Sequence, residues 1–195
     1  MNAALLAGGK SSRMGRDKAL LDWHGTPLWR LQLNKLIALN PERLLISRRD
    51  DQEFKTLLAD HVIDPPDNPG PLGAIVRCLE MAPLPLLVLA VDMPRMTAEF
   101  LQSMIDECSD ASRGLICKSS DGLEPLCAIY PPGALGLMKD ALAEGCFRMR
   151  AVAERLVEAG WLRVRDLMPD EVPLFFNANT PEEYAWMTPA PPASN

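Results

Sequence analysis

The chain opens with Asn2-Ala3-Ala4-Leu5-Leu6, passes Ala7, and then reads Gly8-Gly9-Lys10-Ser11-Ser12-Arg13-Met14-Gly15-Arg16-Asp17-Lys18. The first run is almost entirely small or apolar, as in a strand buried on both faces of a parallel sheet. The second run cannot continue that strand. Its glycines permit a tight turn, bare backbone N–H groups can be brought against an anion, and Lys10, Arg13, Arg16 and Lys18 can neutralise it. A strand leading into such a turn is the opening of a βα unit, and a polyphosphate is the natural ligand. The spacing fits neither the Gly-Lys-Ser/Thr phosphate loop nor Gly-x-Gly-x-x-Gly. Read alone, the segment also suits a glycine turn with solvated basic residues.

Working outward, strand-length apolar runs alternate with stretches of helical periodicity, which predicts a three-layer α/β/α sandwich around a Rossmann-like, mostly parallel sheet. Strands are expected at Asn2–Leu6, Arg43–Ser47, His61–Ile63, Leu86–Val91, Leu115–Cys117, Leu126–Tyr130 and Leu162–Val164. Helices are expected at Leu28–Leu39, Gln52–Ala59, Leu72–Met81, from Thr97 as N-cap to Cys108, Gly133–Ala143 and Met149–Glu158. Asn40-Pro41 ends the first helix, and the four prolines between Asp64 and Pro71 rule out helix or interior strand there. Phe175-Phe176-Asn177 closes the core, and Thr180-Pro181-Glu182-Glu183 carries the signature of a last helix start. One domain is expected over residues 1–187, with a disordered Pro/Ala-rich tail at 188–195.

Composition narrows the function classes. The 195 residues are 48% hydrophobic and 24% charged, enough for one substantial core. A formal charge of -6 argues against a nucleic-acid surface. The longest apolar run, around Leu84–Val91, is interrupted by Pro85 and far shorter than the roughly 20 residues that cross a bilayer. No membrane partner is expected, and with no basic, apolar leader at the start a soluble, cytoplasmic protein is. The five cysteines have no Cys-x-x-Cys pair and are read as reduced, mostly buried hydrophobes.

Two acidic residues stand at strand ends, where an open α/β sheet binds its ligands. Asp92 follows the strand ending at Val91, and Asp64 follows the one ending at Ile63. Asp92 suits a hard cation such as Mg²⁺ held with phosphate oxygens, or a cap for the turn at Thr97. Asp67 suits an Asx turn before Pro69 or a base contact.

The run Leu6-Ala7-Gly8-Gly9-Lys10-Ser11-Ser12-Arg13-Met14-Gly15-x-Asp17-Lys18 closely resembles the signature of the MobA-like NTP transferase family. Gly25-Thr26-Pro27-Leu28, Pro69-Gly70-Pro71-Leu72-Gly73-Ala74, Asp92-Met93-Pro94, Glu124-Pro125-Leu126-Cys127-Ala128-Ile129-Tyr130 and Asn177-Ala178-Asn179-Thr180-Pro181 are similar to further segments of that family. The resemblance implies the nucleotide-diphospho-sugar transferase fold and transfer of GMP from Mg·GTP to the terminal phosphate of molybdopterin. It implies that Leu6, Ala7, Gly8 and Gly9 hold the nucleotide by main chain, that Lys18 and Arg13 contact its phosphates, and that Asp64 binds the nucleotide. It implies Mg²⁺ on Asp92, with Asn177 and Asn179 on the molybdopterin side. Transient contact with molybdopterin-supplying and molybdoenzyme proteins follows from the same resemblance. One position departs: where the family carries a nucleotide-contacting Asn after the second strand, this chain reads Ile46-Ser47-Arg48-Arg49, and Ser47 or Arg48 stands in its place.

Other readings stay open on sequence. A cytidylyltransferase acting on molybdopterin shares the fold and differs in the base, although the Gly8-Gly9 pair favours guanine. A sugar-phosphate nucleotidyltransferase, or a non-catalytic cofactor carrier on the same fold, would use similar loops. Asn-x-Asn-Thr-Pro also serves as turn and cap chemistry, and Arg148 and Arg150 fit a solvated helix face better than a phosphate site.

Overall fold

The computed structural model describes residues 1–9, 17–64, 70–108 and 110–177. Its centre is a seven-stranded sheet of β1 (Asn2–Leu6), β4 (Leu44–Arg48), β5 (Asp60–Ile63), β6 (Leu86–Ala90), β7 (Gly114–Ser119), β8 (Gly122–Tyr130) and β9 (Leu162–Asp166). The spatial order is β5-β4-β1-β6-β8-β7-β9. Every strand runs the same way except β8, which pairs antiparallel with both β6 and β7. A two-stranded ribbon, β2 (Asp22–Trp23) and β3 (Thr26–Pro27), turns through His24 and Gly25, both at positive φ.

The central strands are buried on both faces because both faces carry helices. Every residue of β1 and β6 is buried, as their unbroken apolar runs require. On one face lie α1 (Leu28–Ala38) and α3 (Ala98–Glu107), whose Leu28, Trp29, Leu33, Leu36, Phe100, Leu101 and Met104 pack on Leu5, Leu87 and Leu89. On the other lie α2 (Pro71–Met81), α4 (Leu135–Ala143) and α5 (Met149–Glu158), packed on Ala4, Val88, Ala128 and Tyr130. The three-layer sandwich is the one expected. Thr97 caps α3 as its spacing predicts, its hydroxyl accepting from the Phe100 N–H at 3.2 Å. No helix among the described residues is long and apolar enough to cross a membrane.

One expected element is wrong. Residues 52–59 form no helix, and the chain crosses from β4 to β5 in irregular conformation. Side chains hold this backbone instead. Arg48 donates to the carbonyls of Arg49 and Asp50, the His61 ring bonds the Thr56 backbone, and Phe54 stacks on Trp29 with centroids 4.9 Å apart. Leu57 and Leu58 are fully exposed and 60% exposed, so the segment has no apolar stripe to bury as a helix would. The helix expected from Gly133 begins as a single 3-10 turn, Pro132–Ala134, before α4. The expected last helix and the tail at 188–195 lie outside the described residues.

The chain leaves β1 for β4 on one side and returns past it to β6 on the other. The carboxyl ends of β4 and β6 therefore flank that of β1, and a crevice opens at the switch. Leu89 lies at the middle of this arrangement with no exposed surface. Leu89→Ala is expected to lower unfolding free energy by about 3 kcal/mol, read from urea denaturation with an unchanged slope.

Candidate active site

The crevice at the end of β1 has two adjoining parts that share Leu6, Gly8, Gly9 and Pro71. One is completed by Ala7, Lys18, Ala90, Val91, Asp92 and Leu126, the other by Ser47, Asp64, Gly70 and Ala74. Seven residues expected around the nucleotide, Leu6, Ala7, Gly8, Gly9, Lys18, Asp64 and Asp92, thus come from four separate stretches of chain to one cleft. Arg13, Asp67 and Asn179 lie outside the described residues. Asn177 is described but is not part of this lining. Its neighbour Phe176 lies under the Arg95 guanidinium at 5.8 Å, three residues past Asp92, which brings that chain to the Asp92 side.

Each group is placed by a local cause. Gly8 is glycine because an added Cβ would fall 1.7 Å from Asp64 Oδ2, and Gly9 has φ +106°, where side chains are strained. Gly70 at φ +72° lets the chain turn into α2, whose first residue, Pro71, needs no N–H partner. The amino end of α2, with its partial positive charge, opens on the cleft. Asp17 caps the short turn Lys18–Leu20, its Oδ1 accepting from the Ala19 N–H at 3.0 Å. That turn sends the Lys18 ammonium to 3.3 Å from Asp92 Oδ2.

The Asp92 turn is gripped from below by α1. Buried Gln32 donates to the Met93 carbonyl at 2.5 Å, and Lys35 donates to the Pro94 carbonyl at 2.8 Å and to Gln32 Oε1 at 2.7 Å. Burial pulls the Lys35 ammonium down to about 8. Asp92 Oδ1 is buried and accepts no hydrogen bond among the described residues. A buried anionic oxygen left in that state is costly, and a hard cation is a partner that satisfies it. The donor chemistry therefore fits a hard divalent cation.

Ser47 and Arg48, the two candidates for the departing position, part company. The Ser47 hydroxyl donates to Asp64 Oδ1 and lines the cleft. Arg48 turns away, donating to His61 Nδ1 at 2.8 Å and to nearby carbonyls. Ser47 is the residue that faces the site. Arg148 and Arg150 are exposed, and Arg150 donates to the Asp121 carbonyl at 2.7 Å, propping the β7–β8 turn.

Residues 3–159 match the MobA-like NTP transferase domain. The chain belongs to the MobA-like NTP transferase family. A probable molybdenum cofactor guanylyltransferase of Opitutus terrae is 35% identical over 184 residues, covering 92% of this chain and 91% of the relative. The molybdenum cofactor guanylyltransferase of Pseudomonas fluorescens is 34% identical, covering 91% and 88%. The crystal structure of molybdopterin-guanine dinucleotide biosynthesis protein A from Archaeoglobus fulgidus superposes with a TM-score of 0.76 at 24% identity, covering 96% of this chain and 97% of that one. It establishes the likeness of fold.

Two residues of this MobA-like cleft escaped sequence reasoning. Arg49 and Gln52 bond the Gly9 and Ala7 carbonyls from beneath the turn. Gln52 was hidden by its place in an expected helix, and neither belongs to a motif. Cys78, Cys117 and Cys127 are buried, in line with the expected apolar role, and burial pushes the Cys78 and Cys117 thiols up to about 12.

Burial raises the Asp64 pKa, against the opposing effects of the Ser47 hydrogen bond and the Arg49 and Arg77 charges. The native state thus holds that proton more tightly than the unfolded chain. The stability Asp64 contributes is present below its unfolded pKa of about 4 and is lost as pH rises through the raised native value. At neutral pH the ionised carboxylate is a cost, so Asp64→Asn should melt at the same temperature as wild type or higher, with the difference vanishing in acid. Gly8→Ala, which must displace Asp64, should lose stability, checked by melting curves.

Proposed function

We propose that this protein transfers GMP from Mg·GTP to the terminal phosphate of molybdopterin, releasing pyrophosphate and forming molybdopterin guanine dinucleotide. The observation that carries the reading is the convergence of the Gly8-Gly9 turn, the Lys18–Asp92 pair and the Ser47–Asp64 pair on one cleft. The relatives at 34–35% identity over about nine-tenths of the chain are named for that reaction.

In this reading the triphosphate lies against the Gly8-Gly9 amides, with Lys18 offsetting its charge and Arg13 contacting it from the same signature. Asp64 accepts from the N1 and N2 donors of guanine, and Ser47 holds one oxygen of that carboxylate so that it presents a fixed edge. Asp92 and phosphate oxygens hold Mg²⁺, which when bound supplies charge stabilisation between the donor and acceptor phosphates. A phosphate oxygen of molybdopterin attacks the α-phosphorus, the bond to pyrophosphate breaks, and pyrophosphate leaves. The acceptor phosphate is already anionic near neutral pH, so the residues act by position and charge and no strong base is required. Asn177 and Asn179 contribute amide groups to the molybdopterin side. The substrates place the reaction in the cytoplasm, with handover to molybdoenzymes afterwards.

Cytidylyl transfer uses the same layout with another base, so the decisive experiment compares bases. Pyrophosphate release is measured with GTP and with CTP, each with Mg²⁺, in the presence and absence of molybdenum-loaded molybdopterin. Release with GTP that requires the pterin is expected. A preference for CTP moves the protein to the cytidylyl reaction, and release with neither removes the proposal. Asp92→Ala and Lys18→Ala should each lower turnover by about tenfold or more with circular dichroism unchanged. Wild-type rates in both would remove those two roles.

A further inference from the structure

The turn and the lysine of the cleft are joined by three side chains. Arg49, just past β4, donates to the Gly9 carbonyl at 2.5 Å and, from its other terminal nitrogen, to Asp17 Oδ2 at 3.1 Å. Gln52, 4% exposed, donates from Nε2 to the Ala7 carbonyl at 2.9 Å and to the same Asp17 oxygen at 2.8 Å. Its Oε1 accepts from the Arg49 N–H at 2.8 Å. Asp17 uses its remaining oxygen to cap the turn that carries Lys18. Ala7, Gly9 and Asp17 are thereby fixed to one hub, with Lys18 adjoining it.

The bonds of these three side chains end on the turn and on the cap rather than between sheet and helix. The Arg49 charge is met by Asp17 and by Asp51 at 2.9 Å, so it braces the turn more than it supplies free charge to a ligand. Gly8 and Gly9, the latter at φ +106°, have no side chains of their own to hold their conformation. Binding a flexible polyphosphate tightly requires that amides and ammonium already stand at the right separation.

We propose that Arg49, Gln52 and Asp17 form a clamp that sets the spacing between the Gly8-Gly9 amides and the Lys18 ammonium, and so sets nucleotide affinity. They are positioning residues, and the proposal rests on the nucleotide reading above. A guanidinium fork spans two acceptors and an ammonium at one point does not, which separates a clamp from a simple phosphate cation.

The test is calorimetric titration with Mg·GTP, well below the melting temperature, of wild type, Gln52→Ala, Arg49→Ala, Arg49→Lys and the double Ala variant, with melting temperatures taken in parallel. Each Ala variant should weaken Kd about tenfold, Arg49→Lys nearly as much as Arg49→Ala, and the double variant should fall short of the product of the two, because both act through Asp17. Full affinity in Arg49→Lys beside a loss in Arg49→Ala overturns the clamp in favour of a direct charge. A lowered melting temperature with Kd within twofold of wild type also overturns it, as does an additive double variant. If the Ala variants do not fold, Arg49→Lys decides alone, and a Kd within twofold of wild type overturns the proposal. A wild-type protein that binds GTP while these variants bind equally well loses the clamp only. One that binds no nucleotide loses both readings.

Discussion

A carboxylate oxygen of Asp64 occupies the space that a Cβ at Gly8 would fill. That contact ties the end of β1 to the end of β5 across β4, and the cleft depends on it. Any side chain at residue 8 would push Asp64 outward, pull Ser47 from its oxygen, and widen the part of the cleft between them. Gly8 is therefore required by an approach between two strand ends, whereas Gly9 and Gly70 are required by their own backbone angles. The glycines near the site meet different needs, and they would fail differently when replaced.

The same few ångströms concentrate charge where water is scarce. Asp17, Asp64 and Asp92 face Lys18, Arg49 and Arg77, and the pairing is uneven. Asp17 is fully engaged through the Ala19 N–H, Arg49 and Gln52. Asp64 carries a net burial cost, and Asp92 has an oxygen without a partner among the described residues. The acid that frames the turn is satisfied, whereas of the two that look into the cleft Asp64 is held on one oxygen by Ser47 and Asp92 keeps one buried oxygen without a partner among the described residues. Unpaired buried carboxylate oxygens cost free energy that packing elsewhere must offset. A ligand bringing a cation and N–H donors would recover that cost, which links the burial of these carboxylates to affinity.

The fold was legible where residues act on their nearest neighbours. Continuous apolar runs at Asn2–Leu6 and Leu86–Ala90 declared strands buried on both faces, Thr97 declared its helix, and Gly8-Gly9 declared the turn that ends β1 at the cleft. Asp64 and Asp92 were legible because strand ends in such sheets point at ligands. The segment 52–59 was not, because its conformation is decided by Arg48, His61 and Trp29, none of which lies within it. The reversal of β8 was equally hidden, since a buried antiparallel strand has the same apolar run as a parallel one. Ser47 and Arg48 were indistinguishable in sequence. Only the alternation of strand β4, set by its register against β1 and β5, turns one to the cleft and the other to His61.

The two loops that frame the cleft, one following β1 and the other following β6, are held by the same device. Ala7 and Gly9 are bonded through their carbonyls by Gln52 and Arg49, and Met93 and Pro94 through theirs by Gln32 and Lys35. In each case an amide side chain, buried at 4% exposure or less, works beside a cation that bonds a second carbonyl one or two residues further on. Carbonyls tied this way fix the peptides beside Gly8, Gly9 and Asp92, all three of which line the cleft. Apolar packing alone would not impose that orientation, because it is indifferent to which edge of a peptide faces the ligand. Hydrogen bonds to the rear of each loop do impose it. These polar side chains, set among the apolar layers, are what turn a generic strand-end crevice into a site with donors on one wall and an acceptor on the other.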